Sequence, residues 1–143
     1  MVPRSNQRQS SNWFTTDLGN RFQETAAAEL IRIFPRTYFS VALDLGPGTV
    51  QYLQHLDAGV GFRVNPTEHL GAQPTVIADW EGLPFGRNSV DLVVLQYTLD
   101  FSIDPRQVLR EAVEVLSTGG WIVICGFNPF GLWGMSRILF QSS

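Results

Sequence analysis

The sequence predicts an α/β domain built on a mostly parallel, doubly wound sheet. Three observations carry that expectation. Short apolar runs rich in β-branched residues, about five of them, alternate with helical patterns, which is the mark of repeated βα units. Val90-Asp91-Leu92-Val93-Val94-Leu95 is almost continuously apolar, as in a central strand covered on both faces. Val41-Ala42-Leu43-Asp44 runs directly into Gly46-Pro47-Gly48, where the backbone can turn sharply and let a ligand approach closely.

The elements follow in order. Thr15-Thr16-Asp17 supply capping residues for a helix expected to reach about Ile33 and to end at Pro35. Leu18, Phe22, Ala26, Leu30 and Phe34 recur at four-residue spacing and give it one apolar stripe. Trp13 and Phe14 precede it, either covering the mouth of a neighbouring pocket or simply packed. After the glycine turn a short helix is expected from Thr49 to Leu56, then a strand from Val60 to Val64 stopped by Asn65-Pro66. Thr67 to Ala72 has helical character, and Thr75-Val76-Ile77-Ala78 is a third strand ending at Asp79-Trp80. Asp104-Pro105 pairs an N-cap with a proline at the first helical position, and Val108, Leu109, Ala112, Val113 and Leu116 form the apolar face of that helix. Gly119-Gly120 is expected to stop it, Trp121 to Cys125 to form the fifth strand, and Leu132 to Phe140 to form a final helix. Residues 1–11 are polar and read as a disordered segment, leaving 12–143 as one domain.

At 143 residues, with 44% hydrophobic and 16% charged residues, the chain has the composition of an ordinary globular domain. A net charge of −3 without a cluster of cations argues against nucleic acid as the main partner. The lone Cys125 has no internal disulfide partner, which fits a reducing, cytoplasmic setting. No apolar run reaches membrane-spanning length.

Asp44 narrows the ligand. A dinucleotide fingerprint needs a third glycine where Gln51 stands, and a carboxylate so near the turn repels phosphate. The same carboxylate suits an ammonium or a sulfonium, and S-adenosylmethionine carries both. Asp44-x-Gly46-x-Gly48 resembles the first motif of the class I S-adenosylmethionine-dependent methyltransferases, with Val50 where many members have a further glycine. A strand end turning into a helix with no ligand is the other reading of these residues. Asp79-x-x-x-Leu83-Pro84-Phe85, Ser89-x-Asp91, Leu109-Arg110-Glu111-Ala112 and Leu116-x-x-Gly119-Gly120 follow in the order of the small-molecule group, which includes enzymes similar to the quinone-pathway methyltransferases. The stretch from Gly126 to Gly134 looks like an uncharacterised bacterial branch of that group.

The resemblance implies a Rossmann-like fold, S-adenosylmethionine as cofactor, S-adenosylhomocysteine as product and a small-molecule methyl acceptor. It places Asp44, Gly46 and Gly48 at the cofactor, Asp79 and Trp80 against its adenine, and Gln96 and Tyr97 beside the transferable methyl. It also departs from the family at one position. The acid that normally grips the ribose at the end of the second strand is replaced by Arg63, or by Asn65 if the alignment shifts, with Glu68 a substitute from the next loop. An arginine offers only donors and a positive charge to a cationic cofactor.

Neither histidine is expected at the strand ends that face the pocket, so no catalytic base is assigned, and no metal-ligand spacing appears. A complete class I sheet has seven strands. The expected five therefore imply a minimal form or a sheet whose last part lies beyond Ser143. Two functions remain open: a small-molecule methyltransferase, or a non-catalytic module with a degenerate cofactor site that forms a homodimer through an open sheet edge.

Overall fold

The computed structural model describes residues 13–48, 50–67, 75–127 and 135–142. Helix α1 spans Asp17–Ile33. Its N-cap is Thr16, whose hydroxyl accepts from Gly19 N at 3.0 Å, and its end is closed by Phe34 N–H on Leu30 O at 3.1 Å. Six strands follow: β1 (Tyr38–Leu45), β2 (Asp57–Asn65), β3 (Thr75–Ile77), β4 (Val90–Gln96), β5 (Leu116–Phe127) and β6 (Met135–Gln141). They form one sheet in the order β3-β2-β1-β4-β5-β6. Every pairing is parallel except the antiparallel β5–β6 pair. A helical turn α2 (Thr98–Phe101) and helix α3 (Pro105–Val115) connect β4 to β5.

The sheet is covered on both faces, and the two-residue period of each strand sorts its side chains between them. Leu43 and Leu45 of β1 and Val93 and Leu95 of β4 share a core with Trp80, Leu83, Val108, Ala112 and Val115. Ala42, Leu92 and Val94 belong to the opposite core, with Ala26, Ala27 and Leu30 of α1 and with Phe34 just past its end. Asp91 ties the two central strands, its Oδ2 accepting from Val41 N at 3.1 Å. No helix among the described residues is long and apolar enough to cross a membrane.

Several expected elements change. Leu18 does not reach the sheet and is 52% exposed, because the buried face of the helix runs through Gly19, Gln23, Ala26, Ala27 and Leu30 instead. The helix expected over Thr49 to Leu56 is a single 3-10 turn, Tyr52–His55. Directly after it β2 begins at Asp57, paired with Tyr38, earlier than the Val60 start expected. The α3 helix stops at Val115 rather than at Gly119-Gly120, since Leu116 already pairs with Val90. The two glycines lie in the ladder irregularity between the Val90 and Leu92 pairings, where Gly119 takes φ +81°. The final helix expected over Leu132 to Phe140 is replaced from Met135 onward by β6. Its apolar Ile138-Leu139-Phe140 run satisfies its backbone on the edge of β5, which the sequence alone cannot show to be open. That edge is therefore covered. Residues 1–11, Thr49, Glu68, His69 and most of the Thr67–Ala72 segment lie outside the described residues.

Candidate functional site

At the carboxyl end of the sheet the strand period places Asp44 (β1), Arg63 and Asn65 (β2) and Gln96 (β4) on the face shared with α1. Asp44 and Arg63 are register partners, as are Asp44 and Val94. All four polar residues are buried, at 0%, 4%, 2% and 0% exposure. Gln96 Nε2 donates to Asp44 Oδ1 at 2.7 Å. Arg63 Nη2 donates to Gly48 O, and Arg63 Nε lies 3.9 Å from Asp44 Oδ2, an ion pair too long for a hydrogen bond. Among the described residues Asp44 Oδ2, Arg63 Nε, Asn65 Nδ2 and Gln96 Oε1 have no hydrogen-bond partner, and neither has the nearby Tyr52 hydroxyl. Buried polar atoms are almost always paired, so such a concentration at one strand end makes this the candidate place for a polar ligand.

Burial pushes the Asp44 carboxyl up from 3.8 to about 6, opposed by the Arg63 charge, the Gln96 hydrogen bond and a backbone hydrogen bond from Tyr52. Burial first, and then the charges of Cys125 and Asp44, hold the Tyr52 hydroxyl well above its ordinary range. Cys125 is pushed up to about 11 by burial and by Asp44, so its thiol is protonated and inert at neutral pH.

The glycine turn packs tightly on β4. A Cβ at Gly46, where φ is +154°, would lie 2.2 Å from Gln96 O, and one at Gly48 would lie 2.2 Å from Gln96 Oε1. Gln23 braces the other side. Its Nε2 donates to Phe14 O at 3.0 Å and Gly19 O at 3.2 Å, and its Oε1 accepts from Val50 N at 3.1 Å. Thr98 Oγ1 donates to Leu45 O at 2.5 Å. Gln23 and Thr98 were not legible as site residues. The available signal for Gln23 was a polar side chain on the same helix face as Ala26, Ala27 and Leu30.

Aromatic rings close this end. Tyr97 follows Gln96 with φ 59°, a left-handed conformation unusual for a bulky residue, and its N–H donates to Cys125 O at 2.7 Å. The Tyr97 ring packs 5.2 Å from Phe14 and 5.8 Å from Trp13, and Trp13 stacks on Phe22. The N-terminal aromatics thus lie beside Gln96 and the glycine turn.

Asp79 and Trp80 lie outside this cluster but at the same end of the sheet, in the loop after β3 where Ala78 N donates to Asn65 O at 2.9 Å. Trp80 is buried in the core on the opposite face, and its Nε1 donates to Val64 O at 2.8 Å. Asp79 is exposed in a turn, its carbonyl accepting from Gly82 N at 3.2 Å. The structure therefore gathers Asp44, Gly46, Gly48, Arg63, Asn65 and Gln96 and leaves Asp79 and Trp80 apart from them.

A family described as a methyltransferase domain matches residues 27–124. The chain belongs to that family. Its members are class I S-adenosylmethionine-dependent methyltransferases. The uncharacterised protein YafS of Escherichia coli is 32% identical over 127 residues, covering 89% of this chain and 52% of YafS. A malonyl-[acyl-carrier protein] O-methyltransferase of Marinomonas is 27% identical, covering 83% of this chain and 50% of that enzyme. The chain spans about half the length of these curated relatives. Among solved structures, the fold matches a Methanococcus maripaludis protein described as a putative S-adenosylmethionine-dependent methyltransferase, with TM-score 0.69 and 19% identity over 88% of this chain and 64% of that one. It also matches the N-methyltransferase NodS of Bradyrhizobium japonicum, solved with S-adenosylhomocysteine, with TM-score 0.67 and 17% identity over 84% of this chain and 72% of NodS.

S-adenosylmethionine is the family's cofactor. The open carboxylate oxygen of Asp44 fits a cationic group, and the free donor of Asn65 fits a hydroxyl oxygen. Arg63, a cation inside the same cluster, is the residue that such a cofactor would have to accommodate.

Proposed function

We propose that this domain binds S-adenosylmethionine at the carboxyl end of β1, β2 and β4 and supports methyl transfer to a small molecule in the cytoplasm. The observation that carries the reading is the cluster of unmet buried polar atoms around the glycine turn, Asp44 Oδ2 foremost. When bound, the cofactor supplies a methyl group already activated by a sulfonium. Asp44 would hold the cationic end, Gly46 and Gly48 would keep the backbone close to it, and Asn65 would donate to a ribose hydroxyl. Gln96 orients Asp44 through its 2.7 Å hydrogen bond and offers Oε1 as a further acceptor. Asp79 is proposed to act at the adenine end, with Trp80 holding that loop to β2 through the hydrogen bond from Nε1 to Val64 O. The Trp13, Phe14 and Tyr97 rings would exclude water from the reacting end. Such a site works by positioning, and an in-line displacement at an activated carbon requires no dedicated base.

A second reading, a non-catalytic methyltransferase-fold binding or oligomerisation module, is favoured by Arg63 lying within the polar cluster. Calorimetric titration with S-adenosylmethionine and S-adenosylhomocysteine tests the first. Binding to this chain that is lost in Asp44→Ala supports it. Heat with neither ligand, on this chain or on its Arg63 variants, would overturn it in favour of the second.

A further inference from the structure

The structure assigns Arg63 the role of a built-in competitor for the cofactor: its guanidinium occupies the cation receptor formed by Asp44 and the glycine turn, and a cationic ligand enters only when Arg63 withdraws. This inference rests on the cofactor reading above and specifies how the site is controlled.

Two acceptors define the receptor, the Asp44 carboxylate and the Gly48 carbonyl. Arg63 reaches both, donating to Gly48 O through Nη2 and facing Asp44 Oδ2 with Nε at 3.9 Å. An ammonium or sulfonium drawn to the same acceptors meets a resident cation at contact distance, and in a buried setting that repulsion is weakly screened. Arg63 has to move.

The geometry also shows that Arg63 is held loosely enough to do so. A guanidinium locked on a carboxylate makes two parallel hydrogen bonds. Here neither Arg63 Nε nor Asp44 Oδ2 makes a hydrogen bond among the described residues. The Gln96 hydrogen bond falls on the other oxygen of Asp44, Oδ1, and involves no atom of Arg63, so withdrawal need not break it. The free donor of Asn65 lies two residues further along β2 on the same face, and it is available for a hydroxyl once the guanidinium has left.

Apparent affinity falls by the fraction of molecules whose site is open. With Arg63 in place in about 90 to 99 of every hundred molecules, about ten to one in a hundred are open, and removing it should tighten binding about ten- to a hundredfold. Titration of the full chain with S-adenosylhomocysteine and S-adenosylmethionine, beside Arg63→Met and Arg63→Gln, measures this directly. Both variants should bind more tightly than the unaltered chain, and ligand should raise their melting temperature by more. In an Asp44→Ala background the Arg63→Met gain should vanish, since the contested acceptor is gone. Thermal unfolding of each variant without ligand confirms that it is folded. Should Arg63→Met prove unfolded, Arg63→Gln carries the test. Equal or weaker binding by folded Arg63 variants, with the unaltered chain still binding, overturns the competitor role and leaves the cofactor reading intact. Failure of every folded form to bind removes the cofactor reading itself.

Discussion

Around the glycine turn, four buried side chains from three strands leave an oxygen or nitrogen unmet: Asp44, Arg63, Asn65 and Gln96. Between the loop from Trp80 to Leu83 and helix α3, by contrast, polar side chains bond to the fold itself. Trp80 Nε1 donates to Val64 O at 2.8 Å, and Glu111 Oε2 accepts from Leu83 N at 2.9 Å. Gln107 Nε2 donates to Glu81 O and Glu111 Oε1, each at 3.3 Å, and Asp104 caps α3 by accepting from Gln107 N at 3.2 Å. Both stretches carry residues that resemble methyltransferase motifs. The first is arranged for something it does not contain, whereas the second staples a loop to a helix. A motif match thus says that a segment belongs to the fold, and the state of its polar atoms says whether it faces a ligand.

The largest expected effect that would sharpen this contrast is at Asp44. The native carboxyl keeps its proton to about pH 6, the unfolded one only to 3.8. Between those values the native state binds more protons, so this group's contribution to stability is full below 3.8 and is lost as pH rises through about 6. The difference corresponds to about 3 kcal/mol. Asp44→Asn removes the charge without changing the shape. At pH 8 it should be more resistant to urea than the unaltered chain by about 3 kcal/mol, with the gap closing toward pH 4 and cofactor binding impaired. A less stable Asp44→Asn at pH 8 would break the contrast, because the Asp44–Arg63 pair would then be a structural staple like those around α3.

Gly46→Ala should follow, at a cost of about 2 kcal/mol. Its Cβ meets backbone rather than a flexible side-chain end, 2.2 Å from Gln96 O. Urea unfolding reads the loss, and affinity should fall with it because β4 and the turn must separate. The smallest effect is Trp80→Phe, which leaves Val64 O without its indole donor and should cost about 1 kcal/mol. Cofactor affinity should stay within twofold of the unaltered chain, roughly the scatter of such titrations. A tenfold loss of affinity in Trp80→Phe, with stability unchanged, would move Trp80 from the fold to the ligand.

Much of this was legible along the chain. The alternation of strands and helices, the Asp104-Pro105 helix start and the glycine turn after Leu45 are local matters of period, capping and backbone freedom, and the sheet follows from them. The mostly parallel fold and the family resemblance needed nothing more. Asp44 stood out because a charge at the end of an apolar run calls for a reason, and Arg63 because it departs from the motif around it.

Tertiary structure alone decided the rest. Ile138-Leu139-Phe140 is apolar in a way that suits a helix or a strand, and only the free edge of β5 selects the strand. Trp80 and Asp44 both end strands in the sequence pattern, yet β3 stops at Ile77 and Trp80 turns into the core with α3, while the pleat of β1 sends Asp44 to the face of α1 with Ala42. That Arg63 reaches Gly48, fifteen residues earlier in the chain, depends on β1 and β2 lying in register, with Asp44 opposite Arg63. Local propensity cannot encode such a meeting, because register is set by the sum of pairings across two strands and not by either residue.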